Sequence, residues 1–107
     1  MRAIMIDPYE CSIHEIDFDD NNDHLDTFYK LLNCSLVEVL SFADFDLWLD
    51  EEGYLKDEIV TFNINRDGYV YKIAGKAICL STDYEEGESI ALDDKITVEY
   101  LKEIISF

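Results

Sequence analysis

Basic residues are scarce in this chain. Eight lysines and arginines stand against 25 aspartates and glutamates in 107 residues, for a formal charge of -17. Such a chain has no electropositive footprint for a phosphate backbone, which argues against direct binding to nucleic acid. The cysteines are Cys11, Cys34 and Cys79, an odd count with no C-x-x-C pair. A disulfide framework is therefore not expected, and free thiols fit a reducing cytoplasm. The glycines, Gly53, Gly68, Gly75 and Gly87, stand singly, so no phosphate-cradling loop can be assembled from them. No apolar run reaches the roughly 18 residues that mark a membrane span. The opening Met-Arg-Ala-Ile-Met-Ile-Asp-Pro is too short in apolar residues for a secretory signal. The expectation is a cytoplasmic protein without a membrane anchor.

What is present is a core. Apolar residues make up 49% of the chain, with seven Tyr, six Phe and one Trp, a composition that separates it from disordered acidic tails. One domain over residues 1–107 fits this length. Arg2 to Ile6 reads as a strand stopped by Asp7-Pro8, since proline cannot continue a ladder. Ser12 to Phe18 reads as its hairpin partner. From His24 to Asn33 the period changes: Leu25, Phe28, Tyr29 and Leu32 share one helical face, behind Asp23 as N-cap. Leu36 to Ser41, Ala43 to Asp50 and Ile59 to Ile64 read as strands. Asp67-Gly68 is a hairpin turn leading into Tyr69 to Ala74. Gly75 interrupts as at a bulge, and Lys76 to Leu80 continues as strand. Asp83 to Ser89 reads as an acidic loop, and Asp93 or Asp94 as the cap of a final helix. The predicted fold is α+β: a mostly antiparallel sheet of five to seven short strands with two short helices.

Recognisable chemistry is sparse. Nucleophilic catalysis needs a base and an orienting partner beside the nucleophile, and two histidines with three scattered cysteines provide no such constellation. Asp17 to Asp23 offers oxygen ligands at alternate positions. However, Asn22 stands where a calcium loop turns on glycine, and Phe28 where its bidentate glutamate belongs. Cys11-x-x-His14 lacks the second pair a zinc site requires. No catalytic residue, metal ligand or cofactor is assigned, and the chain is expected not to be an enzyme.

The most informative stretch is Ala43 to Gly53, whose apolar residues Phe45, Leu47 and Leu49 alternate with charge. A period of two predicts a strand with Asp44, Asp46, Trp48 and Asp50 in one row on a wet face. Alternate residues on a strand lie about 6.6–6.8 Å apart, a spacing close to that of successive phosphates along a nucleic-acid strand. Glu51 and Glu52 then turn the chain, and Glu85 and Glu86 extend the charge elsewhere. A tryptophan among carboxylates reads as an interface anchor.

The order of motifs resembles a small domain family of unknown function found in bacteriophages and mobile elements. The matching residues are Asp7-Pro8, Leu25 to Leu32, Val37-Glu38-Val39, Glu51-Glu52-Gly53-Tyr54-Leu55, Asp67-Gly68, Ile73-Ala74-Gly75 and Leu92-Asp93-Asp94. Where that family shows a Pro-Asn-Arg-like segment, this chain has Val60-Thr61-Phe62-Asn63, with Asn63 the one remnant. The resemblance implies a phage-type protein acting in a bacterial host cytoplasm and no established chemistry. Combined with the charge, it predicts an anti-defence inhibitor of a basic or nucleic-acid-binding host protein, acting by partial DNA mimicry. Its expected partner-binding residues are Asp44, Asp46, Trp48, Asp50, Glu51, Glu52, Glu85 and Glu86. The alternative is a small-molecule or nucleotide-sequestering domain, for which Arg66, Lys72 and Lys76 are the clustered cations. Self-association into a homo-oligomer is left open.

Overall fold

The computed structural model describes residues 1–21 and 23–107. Asn22, the residue at the glycine position of the calcium-loop pattern, lies outside them. Among the described residues the elements are β1 (Arg2–Asp7), β2 (Ser12–Asp17), α1 (His24–Leu32), β3 (Val37–Ser41), β4 (Asp46–Asp50), β5 (Thr61–Arg66), β6 (Tyr69–Ala74), β7 (Ala77–Asp83), β8 (Glu88–Ile90), α2 (Val98–Ile104) and β9 (Ile105–Ser106). None of the helices is long and apolar enough to cross a membrane.

Local chemistry accounts for most boundaries. β1 ends where the Asp7 carboxylate accepts the backbone N–H groups of Tyr9 and Glu10, closing the turn around Pro8. Asp23 caps α1 by accepting from the Leu25 N–H, and Asn33 ends it in the left-handed conformation, at φ 51°. α2 starts later than the sequence suggests. Thr97 is its N-cap, accepting from the Tyr100 N–H, while Asp93 accepts from the Lys95 N–H in the preceding turn. A threonine three residues before an available N–H serves as well as an aspartate, so composition alone misplaced the start.

Every pairing is antiparallel. The larger sheet runs β2-β1-β7-β4-β3, with β8 added to the end of β7, and the smaller one runs β6-β5-β9. The described residues form nine strands rather than five to seven. The two extra ones are β8, read as acidic loop, and β9, read as helix tail; both are too short to show a period. A second difference lies at Gly75. It is the corner, at φ +83°, where the chain leaves the smaller sheet and enters the centre of the larger one.

Three layers result. Ile4, Ile6, Leu47, Leu49 and Cys79 of the large sheet pack on Phe62, Ile64 and Ile73 of the small sheet and on Leu101 of α2. On the opposite face, Ala3, Met5, Ile78 and Leu80 meet Phe28 and Leu32 of α1. Both faces of the large sheet are thus covered, which removes the wet face expected for Ala43 to Asp50. Asp46 is 5% and Asp50 8% exposed. Trp48 stacks on Phe28, with ring centroids 4.5 Å apart. The alternation holds only within β4, since Ala43 to Phe45 precede the strand, and the face expected to be wet is covered instead of facing solvent.

Gly53 marks a close approach between layers. A Cβ built there would stand 2.8 Å from the Ala74 carbonyl oxygen and 3.1 Å from the Ala74 Cβ. Backbone cannot yield as a side chain can, so Gly53→Ala is expected to destabilise by about 1–3 kcal/mol. Thermal unfolding measures this directly. A melting point unchanged from wild type would mean that the Glu51-Glu52-Gly53 turn is free to shift.

Candidate functional site

Strand direction sorts the carboxylates. Arg2 is paired with Asp17, Asp46 with Leu80 and Asp83 with Glu88. Antiparallel order therefore brings the starts of β1 and β4 and the ends of β2 and β7 to one end of the large sheet. The loop from β2 into α1 adds Asp19, Asp20 and Asp23 there. The segment after β8 adds Asp93 and Asp94, because the Leu92 N–H donates to the Arg2 carbonyl at 2.8 Å and the Asp93 N–H to Ser81 Oγ at 2.9 Å. Solvent reaches most of these side chains; Asp17 is 94% exposed.

The expected partner-binding residues separate between the two ends. Asp44, Asp46, Glu85 and Glu86 lie at this carboxylate-rich end. Asp50, Glu51 and Glu52 lie at the opposite end of β4, and Trp48 is between them under α1. Asp50 is occupied locally: its Oδ1 accepts the Glu52 N–H at 2.8 Å, and Oδ2 is 3.5 Å from Lys56 Nζ. Asp44 is a clamp. It pairs with Arg66 at 2.7 Å and accepts from the Tyr100 hydroxyl at 3.0 Å, tying the β5–β6 hairpin and α2 to the entry of β4. Burial, and then the bond to Asp44, raise the Tyr100 phenol above its ordinary pKa, so it stays a donor at neutral pH. Asp46 accepts from the Thr82 hydroxyl, while Asp46 Oδ1 and Trp48 Nε1 are buried without a partner among the described residues.

An aromatic does stand exposed amid the carboxylates, but it is Tyr84 rather than Trp48. Tyr84 is 79% exposed in the turn between β7 and β8, with Asp83, Glu85 and Glu86 beside it. It lines a cavity of about 230 Å³ together with Asp44, Asp46, Thr82, Ile90 and Asp93. Its signal in the sequence is an aromatic inside the acidic stretch from Asp83 to Ser89.

The cations weighed for nucleotide binding do not cluster. Arg66 is held by Asp44, Lys72 lines a groove beside Tyr54, and Lys76 lies at the far end of the large sheet. Asn63 occupies an ordinary ladder position in β5, opposite Lys72 and Ser106. Burial raises the thiol pKa of Cys79 far above the ordinary cysteine range. It also raises that of Cys34, so neither is poised as a thiolate. Cys11 is exposed in the β1–β2 turn.

A family model described as a domain of unknown function (DUF3846) matches residues 1–105. No curated protein matches the chain, and no solved structure does.

Proposed function

We propose, for a chain that belongs to the DUF3846 family of unknown function, a role in binding rather than catalysis. The reading is a phage-type inhibitor that docks its carboxylate-rich end on an electropositive surface of a host defence or nucleic-acid-binding protein in the bacterial cytoplasm. The observation that carries it is the gathering of Asp17, Asp19, Asp20, Asp23, Glu85, Glu86, Asp93 and Asp94 at one end of a rigid sheet. Like charges held together cost stability, whereas a basic partner would be steered toward them over a Debye length of about 8 Å at physiological salt. Tyr84 would supply the anchor that Trp48 cannot, being exposed and flanked by charge.

The mimicry is of a charged end, not of a row along β4. Glu85→Gln, Glu86→Gln and Glu88→Gln together are expected to slow association with a basic host partner by about tenfold at low ionic strength and to flatten its salt dependence. Glu51→Gln with Glu52→Gln, at the other end, should leave the rate within about twofold. Stopped-flow or surface-binding kinetics across a salt series would measure both. Equal losses from the two ends, or binding indifferent to salt, would refute docking through this end.

A further inference from the structure

We propose a second, separate binding site at the opposite end of the large sheet, for a small zwitterion of amino-acid size. Ile6 and Leu49 both pair with Ala77, so the next residues along, Asp7 and Asp50, flank Lys76. A cavity of about 400 Å³ opens there, lined by Asp7, Tyr9, Asn33, Asp50, Lys56 and Lys76 among others. That volume lies within the range of small-molecule sites.

Two of its charged groups are left incompletely matched by the described residues. Asp7 is 8% exposed. Its Oδ1 accepts the Tyr9 and Glu10 N–H groups at 2.9 and 3.3 Å, and its Oδ2 has no hydrogen-bond partner among the described residues. That oxygen is open to solvent, and because Asp7 lines the cavity a ligand's donor can take the place of water on it. Lys76 is half-buried on the same cavity and makes no ion pair among the described residues. Asp50 and Lys56, by contrast, satisfy each other.

The remaining surroundings select the ligand. α1 ends at this cavity, and its carbonyl end adds partial negative charge on the side of Asn33. Glu10 and Glu58 stand exposed on the lining. A simple anion would meet Asp7, the helix end and these glutamates. A simple cation would leave Lys76 uncompensated and facing it. A zwitterion answers both charges, its ammonium donating to Asp7 Oδ2 and its carboxylate accepting from Lys76 Nζ, with the Tyr9 ring beside it.

The test is a titration of the full, isotope-labelled chain with each of the twenty free L-amino acids, followed by backbone amide shifts. At least one is expected to move Tyr9, Asn33, Gly75 and Lys76. Its N-acetyl form and its methyl ester should each bind about tenfold more weakly, the cost of one charge-assisted hydrogen bond. Lys76→Met should weaken the parent amino acid to the level of the ester and leave the ester unchanged. Asp7→Asn keeps an acceptor for the turn and should weaken the parent to the level of its N-acetyl form. The site is refuted if no free amino acid shifts these amides, if the ester matches the parent, or if Lys76→Met has no effect. None of these outcomes bears on docking through the carboxylate-rich end, which shares no residue with this cavity.

Discussion

Phe28→Ala is expected to lower stability by about 3–5 kcal/mol, a large part of the 5–15 kcal/mol that holds a domain of this size together. Phe28 is 1% exposed. It sits between Phe18, 4.8 Å away centroid to centroid, and the stacked Trp48. With Leu32 it is a contact by which α1 roofs one face of the large sheet. Alanine would leave a void that β4 and β7 cannot close, because both are also packed from the other side. Urea denaturation measures the loss. The single tryptophan reports on the same place, so native fluorescence should shift to the red as Trp48 gains water. A loss under about 1 kcal/mol, within the range of a surface substitution, with unchanged emission would show that α1 is not what dries this face.

Arg2→Met is expected to cost about 2–4 kcal/mol. The guanidinium donates to three backbone carbonyls, Leu92 and Asp93 at 3.2 and 3.1 Å through Nη1 and Ile96 at 2.7 Å through Nη2. Its Nε meets Glu15 at 2.5 Å. Methionine preserves the apolar stem and removes every donor, taking the guanidinium from the partly buried Leu92 and Ile96 carbonyls, while the Asp93 carbonyl keeps the Ile96 N–H at 2.9 Å. Arg2→Lys should recover only part of the loss, since a single ammonium cannot reproduce the planar fork. Hydrogen exchange should quicken at Leu92 and Ile96 before it does in β1. Uniform protection across both would show that the 92–96 segment holds its place without Arg2.

Much of the fold was legible from periodicity and turn chemistry. The β1–β2 hairpin, the span and both caps of α1, and the Asp67-Gly68 turn all follow from residues within a few positions of one another. What was not legible depends on non-local contacts. Asp46 and Asp50 carry charge, so their places read as solvent-facing. Asp46 is buried against Thr82 of β7 and Asp50 against the turn after β4, and neither partner is encoded in β4. Gly75 looked like a bulge because the strands on both sides are apolar; nothing local says that they join different sheets. The site was half legible for the same reason. Acidic loops were visible one by one, but only strand order shows that Asp17 and Glu85 share an end while Asp50 and Glu51 do not.

The position of β7 has a consequence for how the molecule assembles. This strand fills the centre of the large sheet, between β1 and β4, yet it is synthesised after both. The β1–β2 and β3–β4 hairpins can close locally as they emerge. Each then holds an unpaired, strongly apolar edge until β7 arrives, as the pairing of Ile4 with Cys79 requires. Folding dominated by such non-local pairings is slow, and open apolar edges are where nascent chains associate wrongly. The high negative charge acts in that interval as well as in the finished protein. Two half-built sheets that repel one another have time to wait for the strand that joins them.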